Sequence, residues 1–202
     1  MTGSGDRINN DASDSRGGPP VARPPPEGDT RNISMIHPLP NGTSILIRAV
    51  RPDDKARFRA AFGNLERDSI FTRFFGYKKG LTEAELQQAT DVDFDRVVAL
   101  VATIGSGEAE TIIAGARYVS DPEPGPHKCA EVAFTVEEDY QGQGIAGCLL
   151  DCLIRIARAR GLTQFDADVL TSNWPMLAVF ARSGLPIQKQ QLQDVVHVTL
   201  ML

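Results

Sequence analysis

A glycine-rich turn between a predicted strand and a predicted long helix most constrains how this chain can fold. It follows the apolar segment 129–136, precedes a helical pattern over 143–160, and reads Tyr140-Gln141-Gly142-Gln143-Gly144-Ile145-Ala146-Gly147. Glycine lets a ligand approach the backbone closely. The first N–H groups of a helix lack acceptors within it and lie at the positive end of its dipole. The turn therefore predicts a phosphate or diphosphate site, and a turn that needs glycine for its geometry alone is the alternative.

Periodic apolar patterns predict the elements on either side of this turn. Strands are predicted at 43–50, 96–104, 111–119, 129–136, 165–170, near 187 and at 195–200. Helices are predicted at about 52–64, 69–75, 82–90, 143–160 and 175–183. Three successive strands favour an antiparallel meander, and the strand–helix–strand unit from 129 to 170 favours a parallel pair. Together these elements predict a mixed α/β fold.

The first 34 residues differ from the rest of the chain in composition. They hold five of the 13 prolines, five glycines and four serines, and no aromatic residue. Such a segment buries too little apolar surface to offset the entropy lost when it becomes ordered. Residues 1–34 are therefore predicted to form a disordered tail, and residues 35–202 the folded domain.

Composition and charge exclude several functional classes. The net charge of −5 predicts no broad basic face for nucleic acid, and no apolar run approaches the roughly 20 residues of a membrane helix. The N-terminus lacks the apolar segment of a secretory signal, so a cytoplasmic protein is expected. The cysteines, Cys129, Cys148 and Cys152, are odd in number, which argues against a disulfide framework. The last two are expected to pack as small apolar groups, and the histidines show no metal-ligand spacing, so no metal is expected.

One interpretation of the turn is a dinucleotide-binding fingerprint. Gly142, Gly144 and Gly147 spell G-x-G-x-x-G, and Asp166 and Asp168 follow near the distance of a ribose-binding acid. That fingerprint belongs to the first strand of a doubly wound sheet. Here several strands precede it and only 55 residues follow Gly147, so this interpretation ranks second.

The same turn also reads Gln141-x-x-Gly144-x-Ala146, and this resembles the Q/R-x-x-G-x-G/A pyrophosphate motif of the GNAT superfamily of acyl-CoA-dependent N-acetyltransferases. The resemblance covers roughly residues 43–202 and includes the segment 173–176, followed by Phe180 and 184–185. Within the superfamily, the chain is most similar to the acetyltransferase domain of bacterial Pat-type protein lysine acetyltransferases. The segments that carry this similarity are 47–54, 69–75, 130–136 and 157–162.

The resemblance implies a central mixed, mostly antiparallel sheet flanked by helices, and the transfer of an acetyl group from acetyl-CoA to an amine. The expected acceptor is a protein lysine, such as one in an acyl-CoA synthetase. The pantetheine arm of acetyl-CoA is expected along Phe134, Thr135 and Val136, where the Val136 N–H polarises the thioester carbonyl. Asn173 is expected to touch the same arm. The diphosphate is expected against Gln141, Gly142, Gln143, Gly144, Ile145, Ala146 and Gly147.

Glu131 is the candidate general base. Strand alternation places Glu131, Ala133 and Thr135 on one face of the strand that precedes the turn. The resemblance to Pat-type enzymes implies a glutamate base at this position. A solvated or ion-paired surface glutamate is the alternative. Phe180 stands where many superfamily members have a tyrosine that protonates the leaving thiolate, so the thiolate is expected to leave unassisted.

Three further expectations concern the acceptor and the remaining aromatic and basic residues. Two alternative functions stay open: acetylation of a small-molecule amine, and a non-catalytic acyl-CoA sensor. The sensor stays open because Phe180 replaces the tyrosine of many superfamily members. Phe71, Phe74 and Phe75 are expected to form core or a substrate-side wall. Arg67 and Arg73 are expected to form surface ion pairs.

Overall fold

The computed structural model describes residues 29–74, 76–121 and 128–202. The predicted tail over residues 1–28 lies outside them and stays a prediction. Residues 29–34 are structured: Thr30–Asn32 form a 3₁₀ turn, Ile33 is buried in the core, and Ser34 begins the first strand. The predicted tail boundary at residue 34 therefore falls inside the folded chain.

Eight strands and five helices make up the described structure. The strands are β1 (Ser34–Pro38), β2 (Ser44–Ala49), β3 (Val97–Ile104), β4 (Thr111–Ser120), β5 (Cys129–Val136), β6 (Gln164–Leu170), β7 (Ile187–Leu192) and β8 (Val195–Met201). The helices are α1 (Lys55–Asn64), α2 (Arg67–Phe74), α3 (Glu83–Thr90), α4 (Ile145–Ala159) and α5 (Trp174–Ala181). Every predicted strand and helix is present, and β1 is a strand that the sequence did not predict.

The strands form one sheet in the order β1-β2-β3-β4-β5-β6-β8-β7. β5 and β6 pair in parallel, and the other described neighbours pair antiparallel. The predicted meander and parallel pair are confirmed, and so is the mixed, mostly antiparallel fold class. A doubly wound dinucleotide-binding sheet is mainly parallel, so the second interpretation of the glycine turn is wrong.

Helices cover both faces of this sheet. The amphipathic helix α4 packs against β3, β4 and β5, and α5 packs against α4. α1 packs on β4 and α3, and α2 packs on β5. The long apolar run of β3, buried over six consecutive residues, reflects a strand covered on both faces.

Local signals explain where several helices begin and end. Thr82 and Glu85 form a reciprocal capping box at the start of α3. Gly161 follows α4 at φ +74° and Gly184 follows α5 at φ +73°, a left-handed conformation that glycine adopts without steric cost. No helix within the described ranges is both long and apolar enough to cross a membrane.

A buried ion network fixes the start of α1. Arg48 on β2 donates hydrogen bonds to both oxygens of Asp54, each at 2.7 Å, and one to Glu110 at 2.8 Å. Arg48 and Asp54 are 1% and 0% exposed. Because each charge has its partners in place, the network ties the turn before α1 to the sheet.

Candidate functional site

The cleft of this protein forms where the two parallel strands separate. β5 and β6 pair at three positions, Cys129 with Gln164, Ala130 with Phe165, and Glu131 with Asp166. Beyond these pairs, β5 continues to Val136 and β6 to Leu170. A cleft of about 560 Å³ opens at the fork, lined by residues of α2, β5, β6, α5 and β8.

The free side of β5 presents backbone groups to this cleft. The Glu137 N–H donates to the Ile113 carbonyl at 2.9 Å, on the β4 side. Because N–H directions alternate along a strand, those of Phe134 and Val136 point to the β6 side, where pairing has ended. They can therefore donate to a ligand that lies in the cleft like an added strand.

The glycine turn lies at the end of this strand. Gly142 and Gly144 have φ of +72° and +86°, and Gly144 is the N-cap of α4 with no side-chain cap. The first bond across its end runs from the Cys148 N–H to the Gly144 carbonyl at 3.1 Å. The N–H groups of residues 145–147, which include Ala146, therefore have no acceptor within the helix.

Open space surrounds the glycines of the turn. A Cβ built on Gly142, Gly144 or Gly147 would meet no heavy atom within 4 Å. The backbone is thus accessible, and free N–H groups at a positive helix end suit a diphosphate. The residues of the turn fit the diphosphate that the sequence predicts there.

Gln141 and Gln143 hold the loop before α4 in place. Gln141 Nε2 donates to the Val136 carbonyl at 3.1 Å and to Ser69 Oγ at 3.4 Å. Gln143 Nε2 donates to the Asp139 carbonyl at 3.1 Å. Gln141 thus connects the turn to β5 and to α2, and Gln143 connects it to the 3₁₀ turn Glu138–Tyr140, so both amide nitrogens bind within the protein.

Glu131 lies at the fork of the strands with its side chain exposed. Its register partner on β6 is Asp166, which accepts hydrogen bonds from Thr199 and Gln164. Arg73 on α2 lines the same cleft. Burial and the charge of Arg117 lower the pKa of Arg73, and the charge of Glu131 acts in the opposite direction. The predicted surface position of Arg73 is therefore wrong, because the side chain is half-buried at the cleft.

Asp168 and His197 form a pair at the edge of the cleft that the sequence analysis did not identify. His197 Nδ1 lies 2.8 Å from an oxygen of Asp168, and Nε2 lies 3.5 Å from Asp166. The hydrogen bond that His197 donates to the Asp168 carboxylate raises the pKa of His197, and burial partly opposes this effect. β6 and β8 bring these residues into register. No local pattern in the sequence signals this pairing across 29 positions.

Asn173 and Phe180 lie on the α5 side of the cleft. Asn173 is the N-cap of α5, and its Oδ1 accepts a hydrogen bond from the Met176 N–H at 3.2 Å. Phe180 is 1% exposed and contacts Phe134 edge-on, with ring centroids 5.9 Å apart. Phe180 therefore packs beneath β5 and offers no hydroxyl to the cleft.

The remaining singled-out residues lie away from the cleft. Cys148 Sγ lies 3.1 Å from His37 Nε2, and Cys152 Sγ lies 3.3 Å from Met35 Sδ, so both thiols pack against β1. Phe71 contacts Tyr77 with ring centroids 5.2 Å apart and the rings tilted by 40°. The side chain of Phe74 and all of Phe75 lie outside the described residues, so their predicted role stays a prediction. The described residues contain no group of three or more His, Cys, Asp or Glu side chains placed to hold a metal.

Comparisons with known proteins agree with this geometry. The chain matches the Acetyltransferase (GNAT) family over residues 66–185. It is 34% identical over 158 residues to Acetyltransferase Pat of Mycolicibacterium smegmatis, an alignment that covers 76% of this chain and 46% of that protein. It is 32% identical over 138 residues to Acetyltransferase PA5475 of Pseudomonas aeruginosa, covering 68% of this chain and 70% of that protein. The chain thus spans about half the length of the mycobacterial relative.

A solved structure shares both fold and sequence with this chain. The GNAT domain of S. lividans PAT has a TM-score of 0.76 and 31% sequence identity, covering 84% of this chain and 97% of that chain. A second one, Mycobacterium smegmatis RimJ in complex with CoA-disulfide, shares the fold alone. It has a TM-score of 0.61 at 16% identity and covers 84% of this chain and 86% of that chain.

Proposed function

Because the chain belongs to the GNAT family of acetyltransferases, we propose that it transfers the acetyl group of acetyl-CoA to the side-chain amine of a protein lysine. The observation that carries this proposal is the fork between β5 and β6. A carboxylate, Glu131, lies at its base, and free N–H groups follow along β5 and at the start of α4. The relatives named Pat agree with the Pat-type resemblance of the sequence, and this resemblance supports a lysine acceptor.

The fork and the turn provide complementary sites for the parts of acetyl-CoA. The extended pantetheine arm fits along Phe134, Thr135 and Val136, where it accepts hydrogen bonds from the free edge of β5. The diphosphate fits against the turn from Gln141 to Gly147, and Asn173 faces the arm from α5. Bound acetyl-CoA supplies the acyl group as a thioester, and the Val136 N–H is placed to polarise its carbonyl.

Glu131 is proposed to accept the proton that the amine must lose. A lysine ammonium has a reference pKa near 10.4 and is not nucleophilic until it is deprotonated. A carboxylate at the fork, directly or through a water molecule, can take that proton as the new C–N bond forms. The C–S bond then breaks and CoA leaves as a thiolate. Phe180 cannot protonate this thiolate. No general acid is needed, because the thiolate of a thiol with a pKa near 8.5 is a good leaving group at neutral pH.

The test is acetylation of a protein acceptor. The full chain is incubated with acetyl-CoA and a bacterial AMP-forming acetyl-CoA synthetase, and acetyl-lysine is mapped by mass spectrometry. Glu131→Gln is compared with Glu108→Gln, an exposed glutamate on the loop between β3 and β4. Glu131→Gln is expected to lower the rate by about 10²–10⁴-fold while binding of acetyl-CoA, measured by calorimetry, is unchanged.

Two results would contradict parts of this proposal. Equal rates for Glu131→Gln and Glu108→Gln would remove Glu131 as the base. Binding of acetyl-CoA without acetylation of the synthetase would remove the proposed acceptor. A screen of small amines would then separate a small-molecule acetyltransferase from a sensor.

A further inference from the structure

A second pocket lies between α1, α3 and the sheet, beside the cleft. Its volume is about 270 Å³. Most of its lining is apolar and comes from Phe58, Phe62, Leu65, Leu81, Leu100 and Ile112. Arg73 and Ala133 line both this pocket and the cleft, so the two spaces adjoin.

Small side chains surround one charged residue, Arg117, on the floor of this pocket. Ala99, Arg117 and Ala133 are register partners on β3, β4 and β5, so they share one face of the sheet. Two positions earlier on β4, Gly115 presents no side chain at all, and its partner Thr135 also lines the pocket. Arg117 thus stands among the smallest side chains of this face, which leaves apolar space next to its guanidinium.

The charges of the pocket favour an anionic occupant. Arg117 is half-buried, and in the described part of the chain it makes no hydrogen bond or ion pair. A guanidinium carries five N–H donors, and the nitrogens of Arg117 are not among the buried unpaired atoms of the described residues, so they remain accessible to an acceptor that enters the pocket. The second arginine, Arg73, lies close enough for the charge of Arg117 to lower its pKa, after the larger effect of burial.

The carboxylates that line the pocket already have partners. Glu85 is held by Lys78 and by the cap residue Thr82. Glu137 is hydrogen-bonded to Asn64, and burial and its acidic neighbours raise the pKa of this carboxyl. Neither carboxylate is paired with Arg117. The guanidinium of Arg117 therefore has no acidic partner among the described residues that line this pocket.

We propose that this pocket binds a short aliphatic carboxylate. The carboxylate accepts paired hydrogen bonds from the planar guanidinium of Arg117. The aliphatic tail lies between α1, α3 and the alanine-rich floor, where it is removed from water. The occupant is distinct from acetyl-CoA, and its binding does not depend on the proposed lysine acetylation. Because the pocket adjoins the cleft at Arg73, the bound carboxylate lies close to Glu131.

Calorimetric titration of the full chain with sodium hexanoate tests this site. Hexanoate is expected to bind, whereas hexan-1-ol and hexylamine, which have the same tail without the carboxylate, are expected to bind at least about tenfold more weakly. Arg117→Gln is expected to raise the dissociation constant of hexanoate at least about tenfold. Arg117→Lys, which keeps the charge, retains part of the affinity. Arg182→Gln, an exposed arginine at the end of α5, is the matched control and leaves the affinity unchanged.

A pocket-filling variant separates the tail from the charge. Ala99→Leu keeps Arg117 and occupies the floor, so hexanoate binding is expected to weaken while the circular dichroism spectrum stays native. The proposal is overturned if hexanoate fails to bind at concentrations up to about 10 mM. It is equally overturned if hexanol binds as tightly as hexanoate, or if folded Arg117→Gln binds hexanoate as the unmodified chain does.

Discussion

Removing the carboxylate of Asp54 tests whether the buried ion network holds the start of α1. Asp54→Ala deletes both hydrogen bonds from Arg48 to this carboxylate and the bond that the Arg51 N–H donates to it at 2.9 Å. Arg48 is 1% exposed and cannot turn to water without moving β2. The variant therefore leaves a buried positive charge with fewer partners.

The remaining contacts of Arg48 set the size of the effect. Breaking a buried ion pair by removing one partner costs about 3–5 kcal/mol. Glu110 still accepts a hydrogen bond from Arg48 Nε at 2.8 Å, and the Ala49 carbonyl accepts one at 3.0 Å. We therefore expect the lower end of that range, about 3 kcal/mol, which lowers the melting temperature of a domain of this size by about 6–12 °C.

Urea unfolding followed by far-UV circular dichroism measures this difference. Asp53→Ala, at the exposed neighbouring position, is the control, and its free energy of unfolding is expected to stay within about 0.5 kcal/mol of that of the unmodified chain.

Burial alone raises the pKa of Asp54, but the hydrogen bonds from Arg48 and the Arg51 N–H, with the charges of Arg48 and Arg57, lower it overall.

The sign of this shift fixes the pH dependence. A lowered folded-state pKa means that the stabilisation is present above the unfolded value, near 3.9, and is lost as the pH falls through the folded value. The difference in free energy of unfolding between Asp54→Ala and the unmodified chain should therefore become smaller below about pH 4. If Asp54→Ala unfolds at the same urea concentration as Asp53→Ala at neutral pH, the ion network does not hold the start of α1.

Three other variants test the turn, the cleft edge and a helix cap. Gly144→Ala forces a residue with a side chain to adopt φ +86°, which costs about 1–2 kcal/mol of folding free energy. The urea midpoint of unfolding should therefore fall, and the KM for acetyl-CoA should rise. An unchanged KM would contradict the diphosphate site. The pKa of His197, measured by NMR, should lie above 6.5, and Asp168→Asn should lower it again. Because the folded-state pKa is raised, the pair stabilises the fold below about pH 6.5, and this effect is lost as the pH rises through the raised value. An equal His197 pKa in the unmodified chain and in Asp168→Asn would contradict the pairing. Thr82→Ala removes the cap of α3 and should cost about 1 kcal/mol in urea unfolding, whereas an unaffected midpoint would show that tertiary contacts alone hold this helix.

Local signals made most of the elements predictable. The capping box at Thr82, the glycines after α4 and α5, and the buried apolar run of β3 each act through neighbours in the chain. β1 has no such signal, because it is a five-residue edge strand that ends in a proline and its register is set by β2. The same limit placed residues 29–34 in the predicted tail, although Ile33 packs in the core.

The candidate site was predictable only in part. The glycine turn is contiguous, so its residues follow from the sequence, and the proposed diphosphate contact is a prediction from the same residues. Glu131 was predicted from strand alternation and from the resemblance, and the structure places it at the fork of β5 and β6. Asp168 and His197, and the position of Arg73 between two cavities, were not predicted, because each depends on elements far apart in the chain.

The strand–turn–helix unit and the family of this protein follow from the sequence alone, because they depend on residues that are adjacent or regularly spaced. The tertiary structure sets the point where β5 and β6 separate, since this depends on register across strands and on the helices packed against them. It also decided that Arg117 has no hydrogen-bond or ion-pair partner among the described residues and stands between Ala99 and Ala133, because three strands distant in sequence bring those side chains to one face. A side chain gains or loses its partners through such pairings, and no local pattern encodes them.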